Sequence, residues 1–311
     1  MRILVGVDPG HRSAAVVQLG ELLARSLDAG LVVAAITPPA WSPIVRGADT
    51  EWQRYARDSA NVVLDHAASL LADGVKSGEL KAEFLLHEAS SARRGILEVA
   101  DDHGAALVVV GSSAAGPIGR ITIGSEVDAL LHASPVPVAI APRGYRVRRG
   151  ARITRVTAGY SGSDASADLV IGAAGIAADG GASLRLASFA VRPPGPVTTA
   201  SGLHAEDAVL AGWREQMSAD AAELLADISE LPRTPASVEA VVGIGATWEH
   251  AMEDIEWTDD DVLVVGSSSV GPLARVFVGS HAAKVVRHSP VPVIVVPRGR
   301  AEVLAARAET G

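Results

Sequence analysis

The chain contains no cysteine. Disulfides, thiolate metal sites and cysteine nucleophiles are thereby excluded. Aromatic residues make up only 4% of it and the formal net charge is −9. With so few aromatics interleaved with basic residues, and with excess negative charge, a general nucleic-acid partner is not expected. Every apolar run breaks long before the roughly 18–20 residues of a membrane span, so no transmembrane helix is expected. The opening MRILVGVDPG has one basic residue and an apolar run too short for a secretory signal. It reads as a first strand, and the expected location is cytoplasmic. Two motifs are also missing: a Gly-x-Ser-x-Gly elbow and a Walker A loop ending in GK[ST]. The nine histidines show no metal-ligand spacing. His281 and His288 can share a helix face but have no carboxylate or cysteine companion close in sequence.

What the sequence does have is a long internal repeat. Gly111 to Gly144 reads GSSAAGPIGRITIGSEVDALLHASPVPVAIAPRG, and Gly266 to Gly299 reads GSSSVGPLARVFVGSHAAKVVRHSPVPVIVVPRG. About half the positions agree without a gap, and the chain of 311 residues is about twice as long as the offset. A duplicated domain is implied, not a short-period solenoid. In each copy an apolar run without alternation (Ala106 to Val110, Val262 to Val265) reads as a strand buried on both faces. A Gly/Ser-rich loop follows, then a helix with Ile123, Val127, Leu130 and Leu131 at helical spacing, stopped by Pro135 or Pro290. Strand, glycine loop and helix N-terminus in succession make a natural seat for an anion, with phosphate the obvious guest.

Read in order, the first half alternates strands and helices. Strands are expected at Arg2 to Val7, Leu31 to Ile36, Lys81 to Leu86, through Val110, and at Val136 to Ala141. Helices are expected from Ser13 to about Asp28, Glu51 to Lys76 and Ala92 to His103, the last capped by Gly104. The second half repeats the plan with a Pro/Gly/Ser/Thr-rich loop after Pro193, and residues 300–311 carry no strong signal. Alternation of this kind implies parallel βαβ units. The expected fold is therefore α/β: two similar open five-stranded, mainly parallel sheets with helices on both faces. Domains are placed at 1–144 and 152–299, with a basic connector over 145–151 read as solvated and a tail over 300–311. Pro137 and Pro292 mark the last strand of each half as an edge or a strand start. An apolar edge invites association. The two halves are thus expected to pair through these edges as an intramolecular pseudo-dimer, with a further homodimer left open.

These residues also carry a resemblance. A strand ending in Val7-Asp8, then V-V-G-S, a later Gly-Ser and S-P-V-P-V, resembles the universal stress protein family over essentially all of both halves. The resemblance implies an adenine nucleotide alpha hydrolase-like fold. In members that bind ATP, G-x2-G-x9-G-[S/T] holds phosphates and ribose. The Asp after the first strand and the end of the second hold adenosine. Carried over, these are Gly111, Gly124 and Ser125, with Asp8 and Ile36. Ala114 stands in the middle glycine position, and Gly116 offers a substitute. In the second half Gly266, Gly279 and Ser280 remain, but Ser269 replaces the middle glycine and Ser161 the Asp. The first half is the expected nucleotide site and the second the weaker.

Bland readings stand beside these. Asp8 suits an Asx-turn, the glycines suit tight strand-to-helix packing, and Ser125 and Ser280 suit helix caps. Trp248 and Trp257 read as packing residues. The loop SGSDAS at Ser161 distantly resembles that of ATP pyrophosphatases that adenylate a substrate, without a second catalytic signature. The expectation is a protein that binds ATP or a related adenine nucleotide, with Mg²⁺ as an accompanying ion, as a regulatory ligand in a stress response. At most slow hydrolysis is expected, and a nucleotide-free interaction module is the alternative.

Overall fold

A computed structural model describes residues 1–11, 13–39, 46–192, 200–267 and 280–310. Contacts divide the chain into two compact units, one covering Met1–Ile153 and the other beginning at Thr154.

The first unit runs β1 (Arg2–Val7), α1 (Ala14–Ser26), β2 (Gly30–Thr37), α2 (Arg46–Lys76), β3 (Ala82–Glu88), α3 (Ala92–Asp102), β4 (Leu107–Gly111), α4 (Ser125–Ala133) and β5 (Val138–Ala141). Its strands lie in the order β3-β2-β1-β4-β5, and every ladder between them is parallel. Ile3, Leu4 and Val5 are consecutive and all fully buried. A strand covered by helices on both faces has no solvent side, so its sequence loses the alternation of a half-exposed strand. Leu19, Leu22 and Leu23 of α1 are buried too, each side chain contributing about 1.5–3 kcal/mol. Gly104, at φ 60°, ends α3 just past its C-cap His103.

The second unit repeats this order: β6 (Arg155–Gly159), α5 (Asp164–Gly180), β7 (Ser183–Val191), α6 (Ala200–Ser229), β8 (Val238–Gly245), α7 (Trp248–Glu253), β9 (Asp261–Gly266), α8 (Ser280–His288) and β10 (Val293–Val296). Its strands follow the equivalent order β8-β7-β6-β9-β10, again all parallel. Strands β5 and β10 begin one residue after Pro137 and Pro292. The carbonyls of these prolines accept the first rungs, from Val108 at 3.0 Å and Leu263 at 2.9 Å. The prolines therefore mark strand starts, where the missing N–H is no loss.

Two segments differ from the sequence reading. The connector is strapped to the first unit instead of solvated along its length. Tyr145 and Ile153 are buried, the Val147 amide donates to Gln18 Oε1 at 3.3 Å, and the Ile153 amide donates to Ser26 Oγ at 2.8 Å. The arginines between these anchors, Arg146, Arg148 and Arg149, are exposed, so basic composition concealed the buried ends. The tail, which carried no strong signal, is a helix, α9 (Arg298–Thr310), packed along α5. A Cβ added at Gly172 or Gly175 would come within 2.8 Å of Leu304 Cβ or Ala308 Cβ. Glycine on one helix and alanine on the other let the two backbones approach closely.

Candidate functional site

In the first unit the chain turns to opposite sides after β1 and after β4, which are neighbours in the sheet. Ligands of open α/β sheets bind outside the carboxyl ends of the strands at such a switch point. The β1–β4 ladder pairs Val5 with Val109, and its continuation sets Val7 level with Gly111. The β1–β2 ladder pairs Val7 with Ala35, which sets Asp8 level with Ile36. The fold thus brings Asp8, Ile36 and Gly111 to one edge of one sheet.

The loop leaving β4 is held shut by its own polar groups. The Ser113 amide donates to the Thr122 carbonyl at 2.9 Å, and the Thr122 amide donates to Ser112 Oγ at 2.8 Å. The glycines in and around it are not equivalent. At Gly116 an added Cβ would lie 2.0 Å from Thr122 Oγ1 and 2.6 Å from Thr122 Cβ. Its amide donates to the Ser113 carbonyl at 3.3 Å, and its own carbonyl accepts from Arg143 Nη1. Gly116 therefore has a packing reason of its own within the loop, beside its reading as a stand-in for the middle glycine.

Gly111 and Gly124 behave differently. Neither has a positive φ, and an added Cβ would come no closer than 4.0 Å to Val16 Cβ at Gly111 and 3.6 Å to Ser113 Cβ at Gly124. Neither backbone conformation nor tight packing demands glycine at these positions, which sets aside the packing explanation for both. Gly124 (φ −82°, ψ 168°) is the N-cap of α4, and Ser125 is the first helical residue, exposed at the helix start. Ser125 is thus not the cap. Glu126 and Asp128 occupy the first turn, where they favour the helix dipole and oppose a polyanion.

On the other side of the switch, Asp8 Oδ1 accepts the Gly10 amide at 2.8 Å, an Asx-turn. The side chain of Ile36 packs on α3, where a Cβ at Gly95 would meet Ile36 Cγ2 at 2.6 Å. Thr37, next along β2, was not singled out from the sequence. It is 2% exposed, and its Oγ1 is buried with no hydrogen-bond partner among the described residues. An orphaned hydroxyl costs on the order of 1–3 kcal/mol. A lone Thr at the end of an apolar strand gives no sequence signal of this.

The second unit is built differently at the equivalent edge. Gly266 ends β9, half-buried, with a Cβ position 3.7 Å from Leu169 Cδ2. Gly279 and Ser269 lie outside the described residues; Ser280 begins α8, and nothing is described of its side chain. Where the first unit has Asp8, the hydroxyls of the SGSDAS loop engage one another. Ser161 Oγ is 3.1 Å from Ser163 Oγ, and Ser166 Oγ accepts the amides of Ser161 at 3.2 Å and Ser163 at 3.1 Å. The Tyr160 hydroxyl is held above its ordinary pKa by burial and by the charges of Asp220, Glu223 and Asp164. Those carboxylates make this edge inhospitable to phosphate. Among the described residues no group of three or more His, Asp or Glu is placed to hold a metal ion. No described helix is long and apolar enough to cross a membrane.

Comparison with known proteins agrees with this duplicated architecture. The profile of the Universal stress protein family matches twice, over residues 1–142 and 152–297. A universal stress protein from Mycobacterium tuberculosis is 36% identical over 301 residues, covering 96% of this chain and 100% of the relative. One from Mycobacterium bovis matches to the same extent, at 36% identity. Among solved structures, a universal stress protein from Archaeoglobus fulgidus superposes with a TM-score of 0.60 at 19% identity, covering 96% of this chain and 98% of that one. A protein from Pseudomonas aeruginosa described as a putative universal stress protein gives 0.56 at 16% identity, with coverage of 98% and 97%. The chain belongs to the universal stress protein family and carries two of its domains in tandem.

Proposed function

We propose that the first domain takes ATP or a related adenine nucleotide as a regulatory ligand, without efficient turnover. The observation that carries this is Gly111: a glycine at the switch point whose added Cβ would meet nothing closer than Val16 Cβ at 4.0 Å, so that neither conformation nor tight packing explains the residue. Gly124 and the exposed Ser125 supply a helix start for phosphate and ribose. Asp8, Ile36 and the unsatisfied Thr37 hydroxyl stand on the adenosine side. Mg²⁺ would accompany the phosphates and not rest in a site of the protein's own. The second domain, with Ser161 in place of Asp and three carboxylates around Tyr160, is the weaker site. Its retained Gly266, Gly279 and Ser280 would then mark descent.

The rival reading is an interaction module without nucleotide, favoured by Ala114 and by Glu126 and Asp128 at the α4 N-terminus. Mass spectrometry of small molecules released on denaturing the purified protein separates the two. An adenine nucleotide from wild type, and none from Gly124→Trp, supports the binding reading; nucleotide-free wild type that also fails to take up added ATP supports its rival.

The proposal extends to partners. The apolar β5 and β10 end their units' sheets, and apolar strand edges associate. The two domains are proposed to satisfy one another through these edges. A chain ending after Ile153 would then self-associate into dimers, and a stable monomer in sedimentation would contradict it.

A further inference from the structure

The second domain carries a polar cluster that has no counterpart in the first. Arg185 of β7 is 2% exposed and Asp261 of β9 is fully buried, in the interior of a parallel sheet. At the equivalent rungs of the first domain stand Val32 and Ala106, and Leu4 stands where Thr157 packs beside Arg185. The duplication thus serves as its own control: the fold is built without these charges in one copy and with them in the other.

The hydrogen bonds in this cluster are unevenly shared. Asp261 Oδ2 accepts from Arg155 Nη2 at 2.6 Å and from the Thr258 amide at 3.1 Å, and Oδ1 accepts from the Thr258 hydroxyl at 2.9 Å. Arg185 donates from Nε to Thr157 Oγ1 at 3.1 Å and from Nη1 to the Glu256 carbonyl at 2.7 Å. Its guanidinium carbon sits 4.6 Å from the centre of the Trp257 ring. Its Nη2 is buried without a hydrogen-bond partner among the described residues, 3.7 Å from Asp261 Oδ2. Asp261 is held first by Arg155, which also lies 3.7 Å from Glu239 Oε1, so Arg185 Nη2 has only the longer approach to that carboxylate. Burial, reinforced by the like charge of Arg155 and opposed by Asp261, Glu239 and Glu256, pushes the Arg185 guanidinium down to about 10. A buried cation held this way is costly unless something completes it.

Arg185 also forms part of the wall of a cleft of about 490 Å³, within the range of about 300–1,000 Å³ of small-molecule sites. The cleft lies at the amino-terminal ends of β6, β7 and β8, the opposite end from the nucleotide edge. Its charged lining is Arg155, Arg185 and Arg214 with Glu239, Asp254 and Glu256, equal numbers of each sign. A bare anion or cation gains little from such a lining, because attraction to one half is offset by repulsion from the other. A molecule carrying both charges on a short frame gains from both.

We propose that this cleft binds a small zwitterion of the α-amino-acid class. The carboxylate faces the arginines, with Arg155 and the exposed Arg214 at the cleft surface and the buried Arg185 behind them, and the ammonium faces Glu239, Asp254 and Glu256. The full chain is titrated calorimetrically with the common L-amino acids one at a time, and with acetate, methylammonium and inorganic phosphate. At least one amino acid is expected to bind with a Kd below about 1 mM, where the single-charge probes do not saturate by about 10 mM. Arg214→Glu, an exposed change on α6 that leaves the core intact, weakens that binding at least about tenfold. Arg185→Met does the same, with melting curves confirming that both variants are folded. Absence of saturable binding by any amino acid overturns the proposal. So does equal binding of acetate or phosphate, or affinity unchanged in both variants. None of these readouts depends on nucleotide.

Discussion

Two glycines five residues apart illustrate how differently one residue type is held. Gly116 faces Thr122, so Gly116→Ala forces the loop apart and lowers stability by about 1–3 kcal/mol. An added Cβ at Gly111 makes only an ordinary contact, 4.0 Å from Val16 Cβ, and Gly111→Ala stays within about 0.5 kcal/mol of wild type. Denaturant melts of the two variants check this contrast; equal losses would show that the loop is not locked through Thr122. Nothing in the sequence distinguishes these glycines, because the difference lies in what faces each Cβ after folding. Arg185 was illegible for a related reason: within SLRLASFAV one arginine reads as an interruption of an apolar strand, and its burial depends on Asp261 and Trp257, distant in sequence. If that cation is retained for a ligand, it is retained at a cost in stability. Arg185→Met with Thr157→Val should then raise the melting temperature at pH 7, by on the order of 1 kcal/mol of stability. The sign follows from the depressed pKa: the folded state holds this proton less tightly, so the cost is present below about 10 and is relieved as pH rises above it. A lower melting temperature for the double variant would show that the cluster stabilises the fold.

At the scale of elements, the strands and most helices were legible because their signal is local. Apolar runs without alternation gave β1, β4 and β9, and Pro137 and Pro292 marked β5 and β10 as edge strands or strand starts, of which the structure shows starts. Helix α9 was not legible. Its buried residues are Ala301, Ala305 and Ala308, spaced correctly for a helix face but too small to register as an apolar stripe. Its partner face on α5 is equally slight, with Gly172 and Gly175 at the closest approach. Two smooth faces pack closely, so a single added side chain separates them. Gly175→Val is expected to lower stability by about 1–3 kcal/mol and to speed protease cleavage in the last helix. Unchanged melting and cleavage would mean that α9 does not rest on α5. The connector repeats the lesson in the other half, where Tyr145 and Ile153 hold a basic segment against the first unit.

Across the whole molecule, duplication was the most legible feature, since a repeat needs no folding to be seen. The divergence of the copies was only partly so. Ser161 in place of Asp could be read directly, whereas the carboxylates of Asp220 and Glu223 near that edge come from α6 and meet it only in three dimensions. The chain thus holds one fold twice with different chemistry in each: a glycine without tight packing at the carboxyl edge of the first sheet, and a buried arginine at the amino-terminal edge of the second. The most direct test of the nucleotide assignment is a calorimetric titration of ATP into the full chain, compared with Gly111→Leu and Gly266→Leu. The account predicts one nucleotide per chain in wild type, lost in Gly111→Leu and kept in Gly266→Leu. Two nucleotides per chain, none, or loss with Gly266→Leu alone would contradict it.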